Sequence, residues 1–219
     1  MFDVYGTLVD VHGMVAALDG CFPGHGAELS QQWRNKQIEY TRLRTMCDRY
    51  APFAQVTRES LQQVCNARAL SLSDSSEEQL MQAYLRLPVW PDGKQALAQL
   101  REAGLALAVL SNGDPKDLAE LLSAAGIADT FDCVLSAAQV SKFKTAPEIY
   151  ALGPAQFGCS ASELLFVSSN GWDASGAAWF GYTSCWVNRA CAAPETLGAP
   201  VYAELPDLLS IPRDLIAPT

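Results

Sequence analysis

Four short apolar runs, at residues 105–110, 133–135, 164–167 and 183–187, are separated by stretches long enough for a helix. Strands buried on both faces of a parallel sheet read as continuous runs of this kind, and each parallel crossover needs a dozen or more residues, usually a helix. Helices are therefore expected at about 93–103, 115–125, 146–157 and 173–180. A further strand should end near Asp3. The simplest architecture is α/β: a doubly wound parallel sheet, a Rossmann-like core formed by residues 1–10 and 91–219, with residues 11–90 inserted as a helical cap after the first strand.

The insertion has its own texture. Leu29, Trp33, Lys36, Tyr40, Leu43 and Cys47 follow the helical period, with Lys36 alone breaking the apolar stripe. Leu61, Val64 and Cys65 begin a second pattern. Ser73 or Asp74, followed by Glu77 and Glu78, makes a capped start for a third helix running through Leu87. One departure concerns the first strand. Only Met1 and Phe2 precede Asp3, whereas a strand usually has about five or six residues. Such a segment is expected to lose ladder hydrogen bonds in mid-sheet, unless the natural chain begins upstream.

Charge is divided in the same way as texture. The chain of 219 residues carries 15 Lys and Arg against 24 Asp and Glu, net -9. Residues 11–90 hold eight of each sign, so the remaining 16 acidic and 7 basic residues carry the whole surplus. An acidic chain of this kind lacks the footprint of a nucleic-acid binder and is a poor partner for an anionic membrane. No apolar run approaches a bilayer span, and no basic leader opens the chain. Seven dispersed cysteines without a Cys-x-x-Cys pair fit free thiols in a reducing cytoplasm better than a disulfide framework or a zinc site. Within the neutral insertion, Arg34, Lys36, Arg42, Arg44 and Arg49 outnumber Glu39 and Asp48. That local excess can serve a small anion despite the acidic total, because charges beyond a Debye length of about 8 Å are largely screened.

Ligands of open α/β sheets bind beyond the carboxyl ends of the strands. Those ends carry Asp3, then Ser111 and Asn112, then Ser168, Ser169, Asn170 and Asp173, and Lys144 precedes the helix leading into the last of them. Any one of these alone would read as a turn former or helix cap. Recurrence at successive strand ends favours a site.

Asp3-Val-Tyr-Gly-Thr-Leu-Val-Asp10, Ser111-Asn-Gly113, Lys144 and Phe166-Val-Ser-Ser-Asn-Gly-Trp-Asp-Ala-Ser-Gly176 resemble, in order and spacing, the four motifs of the haloacid dehalogenase (HAD) superfamily. The likeness covers nearly the whole chain, Trp33-Arg34 included, and is greatest to the L-2-haloacid dehalogenases. The phosphatases of that superfamily place a second Asp two residues after the nucleophile and hold magnesium with carboxylates of the last motif. Here Tyr5 takes the first position and Asp173 is the single carboxylate of the last motif. A halide needs no proton to leave, and a haloacid has no phosphate charge for magnesium to neutralise. The resemblance thus implies a hydrolase of carbon–halide bonds that uses no metal and no cofactor and turns a 2-haloacid into a 2-hydroxy acid and halide with inversion. A phosphohydrolase using Asp3 as phospho-acceptor and a catalytically silent carboxylate-binding member are the alternatives.

The resemblance also assigns roles. Asp3 is the nucleophile that forms an aspartyl ester. Lys144 pairs with it; Lys142 reads as the solvated surface lysine, and Thr145 stands where relatives often have proline. Arg34 and Asn112 receive the halide. Ser111 and the backbone amides near Val4, Tyr5 and Asn112 hold the substrate carboxylate. Ile38, Phe53 and Trp172 wall the pocket, and Thr7, Tyr150, Ser168 and Asn170 fill further polar positions. Asp173 either positions the hydrolytic water or fixes Lys144. His12 and His25 fall in no motif. Relatives are often dimers, and the sequence carries no interface signature that decides the assembly.

Overall fold

Every strand pairing in the sheet is parallel. The computed structural model describes residues 1–212, in the order α1 (Met14–Cys21), α2 (Gly26–Met46), α3 (Phe53–Ala67), α4 (Asp74–Tyr84), α5 (Pro91–Glu102), β1 (Ala108–Ser111), α6 (Pro115–Ala124), β2 (Cys133–Ser136), α7 (Pro147–Tyr150), α8 (Leu152–Phe157), β3 (Leu165–Ser168), α9 (Gly171–Phe180), β4 (Thr183–Val187) and β5 (Ala203–Leu205). β1 pairs with β2, and β4 pairs with β3 and β5. Residues 1–3 join the two groups, because Phe2 bridges Val109 on one side and Val167 on the other. The sheet therefore runs β2, β1, residues 1–3, β3, β4, β5. With residues 1–3 counted as the first strand, this is the 3-2-1-4-5-6 order of dinucleotide-binding folds, whose crevice lies where the order reverses, beside strand one.

The short first strand keeps its ladder. Phe2 N donates to Ala108 O and Leu110 N to Phe2 O; across the other edge, Asp3 N donates to Val167 O and Val167 N to Met1 O, all at 2.8–3.0 Å. Its neighbours β1 and β3 are themselves only four residues long, so three residues suffice to pair with both.

Several helices differ from the sequence reading for local reasons. The expected helix over 146–157 is split into α7 and α8. Pro154 has no N–H to give the Tyr150 carbonyl one turn earlier, and that carbonyl accepts the Tyr182 hydroxyl instead (2.6 Å). α3 begins at Phe53, well before Leu61. Its N-cap, Pro52, offers no side-chain acceptor, and the Asp114 carboxylate supplies one, taking the amides of Phe53 (3.0 Å) and Ala54 (2.8 Å). α4 starts at its Ser73 cap as expected, but ends at Tyr84. In α2 the buried residues are Gly26, Leu29, Ser30, Trp33, Gln37 and Thr41, while Leu43 and Cys47 of the expected stripe are exposed. The stripe reading fails there because the second half of α2 turns a polar face inward. α1 and β5 were not anticipated from the sequence.

Helices α1 to α4 pack on one another and meet the loops at the carboxyl ends of the strands. Besides Asp114, Thr45 accepts from the Phe143 amide at 3.0 Å and Lys142 pairs with Asp48. These ties hold α2 and α3 over the loops that follow β1 and β2.

Candidate active site

Asp3 ends the first strand, and the turn beyond it closes on Gly6. The Val4 carbonyl accepts the amides of Thr7, Leu8 and Val9, and Gly6 sits at φ +92°, a conformation natural only to glycine. That turn brings Thr7 back so that its hydroxyl donates to Asp3 Oδ2 at 2.9 Å. Asn170 Nδ2 donates to the same oxygen at 2.9 Å. Ser168 Oγ lies 3.5 Å from it, too long for a normal O–H···O bond, and accepts from the Asn170 amide.

The other Asp3 oxygen faces a cation. Lys144 Nζ lies 3.0 Å from Asp3 Oδ1 and 2.8 Å from Asp173 Oδ2, with Asp3 5 %, Lys144 1 % and Asp173 0 % exposed. Burial works against the Lys144 ammonium, yet the carboxylates of Asp173 and Asp3 outweigh it and hold its pKa above the ordinary lysine value. Burial, aided by the negative charge of Asp3, pushes the Asp173 carboxyl up, with Lys144 opposing. Tyr150 donates its hydroxyl to Asp173 Oδ1 at 2.7 Å; burial first, and then Asp173, raise its pKa well above the usual phenol range, so it remains a donor. α9 carries Asp173 in its first turn, where the helix dipole favours an anion. Gly176, one turn on, has no room for a side chain, since a Cβ there would meet Tyr150 Oη and Thr145 Cγ2 at 2.8 Å.

Lys144 is delivered by a loop pinned at both ends of its short span. Its amide donates to Asn112 Oδ1 at 2.8 Å, and Phe143 beside it is fully buried. Because Asn112 Oδ1 is committed in this way, its Nδ2 is left to donate elsewhere. Among the described residues the amides of Val4, Tyr5 and Asn112 donate to no backbone carbonyl.

Opposite this cluster stand side chains from α2, α3 and α9. Arg34 reaches the Tyr5 carbonyl at 3.3 Å and Asn170 Oδ1 at 3.4 Å, and it bonds Gln37 Oε1 at 2.8 Å. Asp3, Tyr5, Arg34, Gln37, Ile38, Thr41, Phe53, Asn112 and Trp172 line one pocket of about 10 Å³, roughly the space of a single water. Arg34, Ile38, Asn170 and Trp172 also line an outer cleft of about 530 Å³. Ser111, Val4 and Tyr150 lie outside the pocket lining. Ser111 is buried at the end of β1, where its hydroxyl accepts the Gly113 amide at 3.2 Å. Gln37 and Thr41 were not anticipated. They follow Arg34 by three and seven residues, which puts them on its helix face, and that spacing was the available signal.

The haloacid dehalogenase-like hydrolase family profile matches residues 1–181. The chain belongs to this family. It is 43% identical over 197 residues to an (S)-2-haloacid dehalogenase of Pseudomonas sp. strain YL, covering 90% of this chain and 85% of the relative. Among solved structures it is similar to the L-2-haloacid dehalogenase RSc1362, with TM-score 0.93, 44% identity and coverage of 98% and 95% of the two chains. The L-2-haloacid dehalogenase of Xanthobacter autotrophicus with chloropropionic acid covalently bound is another neighbour, at TM-score 0.90 and 38% identity, covering 97% of this chain and 95% of that one.

The Lys144 ammonium thus lies between the carboxylates of Asp3 and Asp173. Among the described residues no group of three or more His, Cys, Asp and Glu side chains converges.

Proposed function

We propose that this chain is an (S)-2-haloacid dehalogenase that hydrolyses short L-2-haloalkanoates to (R)-2-hydroxyalkanoates and halide. The observation that carries this reading is the buried Asp3–Lys144–Asp173 cluster beside a small pocket faced by Arg34. Nucleophile and substrate are both anions. At about 5 Å and an effective dielectric of 20 they repel by about 3 kcal/mol, roughly a hundredfold in rate if uncompensated. Lys144 offsets this on one side of Asp3, and Arg34 on the substrate side.

In this reading the Asp3 carboxylate attacks C2 from behind the carbon–halogen bond. The bonding pair leaves with the halide, which Arg34 and Asn112 Nδ2 receive, and configuration inverts. The substrate carboxylate rests on the Ser111 hydroxyl and the amides of Val4, Tyr5 and Asn112. Ile38, Phe53 and Trp172 exclude solvent around the reacting carbon, while Thr7, Ser168 and Asn170 keep Asp3 aimed. Water then attacks the ester carbonyl carbon, one of its protons passes by way of Asp173 to the departing alkoxide oxygen as the ester C–O bond breaks, and the 2-hydroxy acid is released while the second proton is lost as Asp3 returns to its carboxylate. A carboxylate whose pKa is raised is the better base for that step. Tyr150 and Lys144 hold Asp173 in place.

We take residues 11–90 as a cap and residues 1–10 and 91–219 as the core, of which 213–219 lie outside the described residues. The apolar side chains of Leu43 and Met46, exposed on α2, support a homodimer, which light scattering would check. Seven free cysteines support a cytoplasmic location. The function is tested by incubating the protein with L-2-chloropropionate, its D-isomer and p-nitrophenyl phosphate, each with magnesium and with chelator. Chloride release from the L-isomer in chelator is expected. Magnesium-dependent phosphate release without dehalogenation would replace the reading with the phosphohydrolase one.

A further inference from the structure

We propose that Gln37 is a positioning residue that fixes the Arg34 guanidinium over the pocket while leaving its charge free for the departing halide. The inference rests on the dehalogenase reading for what Arg34 does. What holds Arg34 follows from geometry alone. Its bond to Gln37 Oε1, at 2.8 Å, is the short one; those to Tyr5 O and Asn170 Oδ1 are 3.3 and 3.4 Å. Because Arg34 also borders the large outer cleft, a guanidinium without this anchor has somewhere to swing.

Gln37 is itself held without freedom. It is 1 % exposed. Its Nε2 donates to Thr57 Oγ1 at 2.7 Å, and its Oε1 also accepts from Tyr84 Oη at 3.2 Å. Thr57 spends its single hydroxyl proton on the Phe53 carbonyl at 2.8 Å, so towards Gln37 it acts only as an acceptor. A reversed amide would set NH2 against the guanidinium, which has no acceptor, and would give Thr57 no donor. The Thr57 carbonyl is tied down in turn by Trp33 Nε1 and Ser60 Oγ, each at 2.8 Å. α2 and α3 thus specify one orientation of the Gln37 amide and, through it, one position of the guanidinium.

The choice of an amide has a chemical consequence. A carboxylate at this place would bind Arg34 more tightly, but would also neutralise it and compete with the halide. Among the described residues Arg34 forms no ion pair, so its positive charge is matched only by neutral oxygens. Anchoring and availability are reconciled by using a neutral acceptor.

The test uses Gln37→Met, which keeps length and removes all three side-chain hydrogen bonds, and Gln37→Glu, which keeps the acceptor and adds charge. The readouts are kcat for L-2-chloropropionate and L-2-bromopropionate, bromide inhibition, and the response of the Arg34 side-chain NMR signal to bromide, assigned through Arg34→Lys. Losing an anchor costs less than losing a donor outright, which is worth about 100- to 1000-fold, so Gln37→Met should lower kcat for the chloro substrate about 30-fold. Chloride is the poorer leaving group, so the bromo substrate should lose several-fold less. Gln37→Glu should weaken bromide inhibition about 10-fold or more through the competing charge. Equal losses on both halides with an unchanged bromide response would assign Gln37 to structure alone and overturn the proposal. If the wild-type protein releases no halide, the dehalogenase reading fails. The role of Gln37 is then read from NMR, where a bromide response at Arg34 that survives in Gln37→Met would refute it.

Discussion

On the sheet side of the pocket, Asp3, Lys144 and Asp173 are at most 5 % exposed, and each sits at a strand end, in a pinned loop or in the first turn of a helix. On the helix side, Arg34 and Ile38 are only half-buried, and they come from α2, which is held over the sheet by a few polar ties and, with α3, by ring contacts such as Phe53 with Tyr5 and Phe143. The first wall fixes charge where solvent cannot compete for it. The second is docked, and its residues act only as long as the docking holds. Loss of a group should therefore be catastrophic on one side and graded on the other.

The largest effect is expected for Asp3→Asn. Removing the nucleophile should reduce halide release by about 10^4-fold or more with little change in melting temperature, and near-normal activity would exclude the covalent route. Lys144→Met follows. It leaves two buried carboxylates facing each other, so we expect a loss of stability of about 3–5 kcal/mol by urea titration and turnover reduced about 10^3-fold in the fraction that remains folded.

Asp173→Asn should slow the second half of the reaction by about 10^2- to 10^4-fold while leaving ester formation in place, so that mass spectrometry finds the protein carrying one propionate unit. The same residue sets the acid limb. Burial raises its pKa, and it is a base only when ionised, so ester hydrolysis should fail as pH drops through a value above the ordinary Asp range. An acid limb at the usual carboxylate position in single-turnover measurements would count against this role. Smallest is Asp114→Ala on the docked side. Two amides at the start of α3 lose their acceptor, which should cost about 1–2 kcal/mol of stability, with kcat reduced only a few-fold as Phe53 loosens.

The same contrast governs what the sequence made legible. The sheet side could be read because most of its groups fall at the ends of apolar runs: Ser111 and Ser168 follow such runs directly and Asn112 and Asn170 lie one and two residues further on, whereas Asp3 follows only Met1 and Phe2 and was legible through the motif it opens. The helix side resisted because the inward face of α2 ends in Gln37 and Thr41 rather than in apolar residues, so an apolar stripe traced along it drifts to exposed Leu43 and Cys47. The start of α3 was hidden for another reason: its cap, Asp114, is contributed from across the molecule and leaves no mark near Phe53. β5 spans only Ala203, Glu204 and Leu205, too short to give an alternation, and α1 has no side-chain cap and contains Gly20.

The cavity beside Asp3 has room for about one water. Dehalogenation removes a halogen atom from that space, and ester hydrolysis then consumes one water molecule. On the dehalogenase reading, halide and water are close enough in size for the water that cleaves the ester to take the space the halide vacates.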